Sequence, residues 1–455
     1  MKRRQFLATS AGFAGSLLPL ISRGAGCPPG LLQATGGTSA ITTCPSVAPS
    51  WFVSLPELSW VPIAGGSSYG SSYQNGATIR TVSPSTSAYP NGQGAEGVSA
   101  VMNDWTGGCC YQAGGQYLIP AQGGHNGYYC NEVYSLALRQ EVPGWQRIWG
   151  PTPNAQISTS EIAYNEPYTG YADGAPRTSH GWFSTLCTSG GRVLITFVDA
   201  CPSGRWTTEC YSLDINNPGA GWTFHGRLWA TLPGSAGSEF LYQSGPGIYD
   251  PVGDRFYRAA EGAVGSPANG VVGVNVATML AAGQQPTTGP QTPGSTLYNL
   301  SYGTALSDGW SVVLDDMSPR CWVIASIDNS RLWILNLENP SAGFTQKTTT
   351  GSPTGFQAGL GAVYHKPSRA ILVGGKELGR NIRKLQITGT NPLTATYAWS
   401  NVALGGVTPA SESQFNGTYS KWQMVEDMGN GQSGIVMATQ VGGPTYFVKL
   451  PSSGV

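Results

Sequence analysis

GGHNGYYCNEVYSLALRQEVPGW, residues 123–145, decides the fold. It reads as the second half of one β-propeller blade. A strand closes on Gly123-Gly124, a polar turn follows, a second strand closes on an aliphatic residue, and Trp145 stands a few residues on. The strands are rich in β-branched and aromatic residues and bounded by turn formers, while helical periodicity is nearly absent.

The same grammar returns along the chain, which marks a repeat architecture. The first unit has strands near Ser99 to Tyr111, Gln116 to Gln122, Glu132 to Leu138 and Trp145 to Ile148. The second has His180 to Thr188, Arg192 to Asp199, Thr208 to Ile215 and Trp222 to Leu228. A third shows Gly247 to Pro251, Asp254 to Ala260 and Gly270 to Val276. The fourth has Trp310 to Leu314, Cys321 to Ile327, Arg331 to Leu337 and Phe344 to Thr348; the fifth has Ala358 to Tyr364, Ala370 to Gly375, Ile382 to Ile387 and Tyr397 to Val402. The sixth shows Trp422 to Glu426, Ser433 to Thr439 and Tyr446 to Leu450, and its missing strand is supplied by Leu58 to Ile63, LSWVPI. The expected fold is therefore all-β: six four-stranded blades closed into a ring by an N-terminal strand, which leaves no large open edge. Seven blades is the alternative, because residues 283–309 have room for a strand pair, and a two-sheet sandwich is the outside one.

Residues 1–26 read as a twin-arginine signal peptide: Lys2-Arg3-Arg4, then Gln5-Phe6-Leu7, a mildly apolar run, and small residues at Gly24-Ala25-Gly26. Residues 27–50 are an N-terminal extension and 51–455 a single propeller domain. A periplasmic or secreted protein is expected. Lipid anchoring at Cys27 is disfavoured, since Gly24 stands where a lipobox wants an aliphatic residue. No stretch has the roughly 18 to 20 consecutive apolar residues that span a bilayer. Charged residues are 11% of the chain and the formal net charge is zero, so neither a nucleic-acid footprint nor an anionic-membrane patch is expected. The nine cysteines fit an oxidising compartment. Bridges are expected for Cys201 with Cys210, for Cys27 with Cys44, and for Cys109 or Cys110 with Cys130, while Cys187 and Cys321 read as buried, inert thiols. No CxxC or Cys/His cluster has zinc-ligand spacing, so no metal site is expected.

The Gly-Gly doublets Gly123-Gly124 and Gly374-Gly375, each closing a second strand, and Trp145 and Trp222 in fourth strands, resemble kelch repeats of the galactose oxidase central-domain type. The resemblance covers residues 98 to 450, and GGHNGYYCNEVY with DGAPRTSH is also similar to a group of bacterial exported kelch-like proteins. It implies a propeller and says almost nothing of activity. Tyr364-His365 resembles the Tyr-His pair of the copper-radical oxidases in that family. The family's second histidine lies downstream, and no histidine follows His365 here. Copper is therefore disfavoured and no cofactor is expected.

Loops from second to third strand and from one blade to the next share a face, where chemistry on a propeller is expected. His125, His180, Tyr128, Arg177 and Arg205 are the candidate catalytic residues, and Asn126, Glu239, Glu261, Lys376 and Arg380 the candidate ligand contacts. The leading expectation is binding of an extracellular glycan or similar polymer, since aromatic residues abound and charge is scarce. The alternative is a polysaccharide lyase. There His125 or His180 with Tyr128 would move protons, and Arg177 or Arg205 would neutralise the enolate beside a uronate carboxylate. Hydrolysis by paired carboxylates has no local pairing behind it, because Glu132, Glu239 and Glu261 fall in different units. A copper-radical oxidase or a scaffold with a protein partner completes the set.

Overall fold

Alternate residues of the blade strands face opposite neighbours, and this period of two places the core between blades. In the strand Ala370–Gly374, Ile371 and Val373 join an apolar cluster shared with the preceding blade, while Ala370 and Leu372 join one shared with the following blade. Because both faces are covered, such strands are buried along their whole length, whereas the outer strand Thr396–Ala403 is mostly exposed. Six clusters of this kind occur in the computed structural model, one at each blade interface. The structure describes residues 47–65, 76–124, 127–159, 170–196, 198–200, 205–228, 246–260, 270–288, 291–298, 300, 309–325, 330–351 and 359–455; the side chains of 198–200, 205–207 and 260 are not described.

The fold is a six-bladed β-propeller of four-stranded antiparallel sheets. From the axis outward, blade 1 is Cys109–Tyr111, Gln116–Pro120, Val133–Ala137 and Trp145–Trp149, and blade 2 is Thr185–Cys187, Arg192–Ile195, Glu209–Asp214 and Trp222–Arg227. Blade 3 is Gly247–Asp250, Arg255–Ala260, Gly270–Asn275 and Ser295–Tyr298, and blade 4 is Ser311–Leu314, Cys321–Ala325, Arg331–Asn336 and Phe344–Thr348. Blade 5 is Gly361–His365, Ala370–Gly374, Asn381–Thr388 and Thr396–Ala403. Blade 6 is Trp422–Val425, Gly434–Ala438 and Thr445–Lys449, completed by the N-terminal strand Ser59–Ala64. That strand pairs antiparallel with Thr445–Lys449, with Trp60 opposite Val448, and on its far side meets the short strand Gly405–Gly406 in parallel. The six inner strands touch in sequence around the axis, and blade 6 meets blade 1 to close the ring.

Several expectations need correction. The six-blade expectation holds and the seven-blade alternative does not: among the described residues the 283–309 stretch contributes one strand, Ser295–Tyr298, the fourth of blade 3. Ser99 to Tyr111 is a strand only from Cys109, because residues 97–103 coil into a 3-10 turn and a short helix. His180 to Thr188 is a strand only over Thr185–Cys187. Cys109, Cys110, Cys130 and Cys210 are free thiols. Cys130 faces Gly92 rather than the strand that carries Cys109 and Cys110, since a β-carbon on Gly92 would meet its sulfur at 2.0 Å. Cys210 lies 3.7 Å from the Met279 sulfur. Cys27, Cys44 and Cys201 lie outside the described residues.

One turn recurs. Asn217-Pro218-Gly219-Ala220-Gly221 and Asn339-Pro340-Ser341-Ala342-Gly343 each join a third strand to a fourth through a single 3-10 turn. Gly221 and Gly343 sit at φ 80° and 82°, where a β-carbon is unfavourable. The repeat delivers Trp222 and Phe344 to the same position in blades 2 and 4.

Candidate functional site

On the face where the loops converge, the chain enters blades 1, 2 and 6 through Trp105, Trp182 and Tyr419. All three have left-handed backbone, at φ 44°, 28° and 44°. This region is costly for a bulky residue and persists only where the surroundings hold it. Hydrogen bonds do so here. The Gly181 and Trp182 amides both donate to the Trp105 carbonyl, at 2.9 and 2.7 Å, and the Ser420 amide donates to the Trp182 carbonyl at 3.3 Å. The Gly108 amide donates to the Ser420 hydroxyl at 3.2 Å.

Three rings gather at this seam. The His180 ring centre lies 4.7 Å from that of Trp105 and 4.4 Å from that of Trp182. His180 and Trp182 are buried, and Trp105 is half-buried. The Gly-Gly doublet of blade 1 makes room for them: a β-carbon at Gly124 would stand 2.0 Å from the His180 ring. Close packing against the imidazole is thus one reason the segment after this second strand carries glycine at 124.

Beside the rings lies a buried charge cluster drawn from blades 1, 5 and 6. The Lys421 ammonium, wholly buried, donates to the Thr106 carbonyl at 3.0 Å and lies 4.8 Å from the centre of the Phe415 ring. Burial pulls its pKa down to about 7, against the opposing pull of Glu377 and Asp104. Burial pushes Asp104 up to about 7, helped by Glu96 and opposed by Lys421. Glu377 is likewise raised by burial, and its carboxylate accepts from the Thr418 hydroxyl at 2.8 Å. Glu96 accepts from the Asn103 side-chain amide at 2.7 Å. Burial thus brings a carboxyl group and an amine of one cluster to about the same pKa, each moved towards its neutral form.

The sequence-predicted residues that the structure describes divide among four places. Tyr128 and Arg177 join His180 around the blade 1 loop. The Tyr128 hydroxyl is buried and donates to Glu132 at 2.7 Å; burial and then the Glu132 charge push its pKa up, while burial raises Glu132 itself to about 7. The Arg177 guanidinium sits 5.2 Å from the Tyr171 ring centre, and the Tyr171 hydroxyl donates to the Tyr129 carbonyl at 2.7 Å. Lys376, in the blade 5 loop, reaches the same Phe415 ring as Lys421, at 6.0 Å. Arg380 stands apart, exposed, with a 3.4 Å bond to the Gly406 carbonyl. Arg205 opens the strand Arg205–Thr207, which pairs with Val198–Ala200 in the blade 2 loop. His125, Asn126, Glu239 and Glu261 lie outside the described residues. Asp104, Trp105, Trp182, Glu377 and Lys421 were not foreseen. Their signal was rarity: at 11% charge, an acid in NDWTGG and a lysine immediately before the apolar strand WQMV both stand out.

At the opposite end of the axis the inner strands enclose a cavity of about 540 Å³, whose wall includes Cys109, Cys187, Tyr249, Tyr364 and Gln423. Its mouth is fastened by Lys366, which lies 2.8 Å from both Asp315 and Glu426 and so ties blades 4, 5 and 6 together. Tyr364 and His365 lie at this end. The Tyr364 hydroxyl donates to Asp316 at 2.8 Å, and the His365 ring bonds Ser368 at 2.5 Å and Ser433 at 3.3 Å. Among the described residues no three His, Cys, Asp or Glu side chains are placed to hold a metal ion together, and no helix is long and apolar enough to cross a membrane.

No protein-family model matches the chain, and no curated protein matches it. Solved structures do. An alpha-L-arabinanase from Penicillium chrysogenum, complexed with arabinobiose, is 11% identical over 77% of this chain and 94% of its own, with a TM-score of 0.42. An alpha-L-arabinofuranosidase from Fusarium graminearum is 10% identical over 64% and 72%, at 0.33. An auxiliary nutrient binding protein from Bacteroides thetaiotaomicron is 11% identical over 61% and 57%, also at 0.33. Likenesses this distant do not say what this chain binds.

Proposed function

We propose that this protein is an exported, kelch-like propeller that binds a glycan on the face carrying Trp105. The observation that supports this most is the half-buried Trp105 indole, held on left-handed backbone against His180 and Trp182. Strain retained at a surface aromatic points to a use beyond packing. A pyranose ring offers an apolar C–H face that stacks on an indole, and hydroxyls that need polar partners at its rim; the half-buried Glu96, bonded to Asn103 two residues before Trp105, is the polar group for that part. Export rests on Lys2-Arg3-Arg4 and the apolar run behind it, and kelch character on the Gly-Gly and Trp positions. The test is size-exclusion chromatography of neutral and uronic polysaccharides with and without the protein, followed by tryptophan-fluorescence titration of any polymer that co-elutes. Trp105→Ala is expected to weaken binding at least tenfold while leaving the thermal midpoint within a few degrees. Binding unchanged in that variant, or no polymer retained at all, overturns the reading.

A second reading, uronate elimination, is favoured by the Asp104–Lys421 couple, whose members both titrate at about 7. The same chromatography separates the two: polymer shortened with a rise in unsaturated-uronate absorbance supports a lyase, and polymer of unchanged length supports binding.

A further inference from the structure

Cys109 and Cys187 lie on the inner strands of blades 1 and 2, which pack side by side at the axis. Both line the axial cavity, and both belong to the apolar cluster between these blades. The Cys187 thiol donates to the Thr188 carbonyl at 3.6 Å, at the end of its strand. Cys110 also lines the cavity, but alternation along the strand packs it into the cluster between blades 6 and 1 instead. Two thiols on adjacent strands that share one apolar cluster and one cavity wall are the pair placed to meet in a disulfide, whose sulfurs bond only when the two backbones already run close. Reading Cys187 as an inert buried thiol is therefore set aside: it is half-buried and lines the cavity.

We propose that Cys109 and Cys187 are a dithiol that oxidises to a disulfide joining blade 1 to blade 2, by exchange with a disulfide-bearing oxidant. Cys187, the more exposed of the two, attacks the oxidant's disulfide as the thiolate. It forms a mixed disulfide and releases one thiol. Cys109 then gives its proton to solvent and attacks the Cys187 sulfur, releasing the second thiol. Two protein thiols are oxidised and one disulfide is reduced to two thiols. The order follows from burial, which pushes the Cys109 thiol well above the usual range and leaves it a poor first nucleophile. The bridge closes a loop of chain that contains Gly124 and His180, so it restrains the chain that carries the ring cluster.

The experiment incubates the full chain with 2-hydroxyethyl disulfide, alkylates the remaining thiols, and maps peptides by mass spectrometry without reduction. The expected product is one cross-linked peptide joining Cys109 to Cys187, kept in Cys110→Ser and lost in Cys187→Ser. Cys187 trapped as the mixed disulfide while Cys109 is still alkylated overturns the proposal, as does a link from Cys187 to Cys110. Should Cys187→Ser fail to fold, the wild-type map and the Cys110→Ser map decide the matter alone.

Discussion

At the scale of single residues, Lys421 and Asp104 make a prediction with opposite signs in two pH windows. Lys421 has a folded pKa of about 7 against an ordinary 10.5, so between those values the unfolded chain binds more protons and stability rises with pH. Asp104 has a folded pKa of about 7 against 3.8, so over that range the folded chain binds more protons and stability falls as pH rises. In urea unfolding across pH 4 to 10, wild type minus Lys421→Met should climb above pH 7 by at most about 4 kcal/mol, and wild type minus Asp104→Asn should decline below it by a similar amount. If the Lys421→Met and wild-type profiles run parallel, the ammonium is not the titrating group. This pair was invisible to motif reading because its members are far apart in sequence and meet only when the ring closes. His180 was visible, but the sequence could not place it beneath Trp105 rather than on the surface.

At the scale of elements, the blade strands were legible where two covered faces force unbroken apolar runs. Cys321–Ala325 and Ala370–Gly374 are examples, buried at every position. Ser295–Tyr298 was not, because an edge strand with three half-buried residues and one exposed carries no alternation to read. The front of blade 1 misled for a different reason. Ala100 to Asn103 are all buried, so apolar character was right, but burial of Ala100 against Gly127 suits a helical turn as well as a strand. The Gly-Gly signature has a physical basis in blade 5. A β-carbon on Gly374 would stand 2.3 Å from the Trp422 ring of the next blade, so the glycine is required by an inter-blade contact and not by the turn. Gly374→Ala should therefore cost about 1–3 kcal/mol by overpacking. The same change at Gly190, where the nearest atom is 3.9 Å away, should lie within about 0.5 kcal/mol of wild type. Equal thermal midpoints for the two variants would mean that Trp422 moves aside freely.

At the scale of the whole molecule, closure depends on Ser59–Ala64. Without it, Thr445–Lys449 becomes an open sheet edge, and Trp60 leaves a cluster in which its ring meets Trp422 at 5.5 Å and Tyr446 at 6.4 Å. The helical turn Ser50–Val53 would go as well, and with it Trp51 and Phe52, which pack on Phe447 at 5.5 and 5.7 Å. An exposed strand edge bordered by uncovered apolar side chains invites pairing with another chain. A chain starting after Ala64 should thus associate in light scattering and melt well below wild type, and a synthetic peptide of residues 47–65 added in trans should return it to the monomer. Trp60→Ala separates packing from edge pairing. Removing a buried indole costs about 3–5 kcal/mol, yet the backbone ladder remains, so this variant should melt low and stay monomeric. A truncated chain that is monomeric and melts with wild type would mean that the ring is held by its inner strands alone, and that the N-terminal strand only covers an edge.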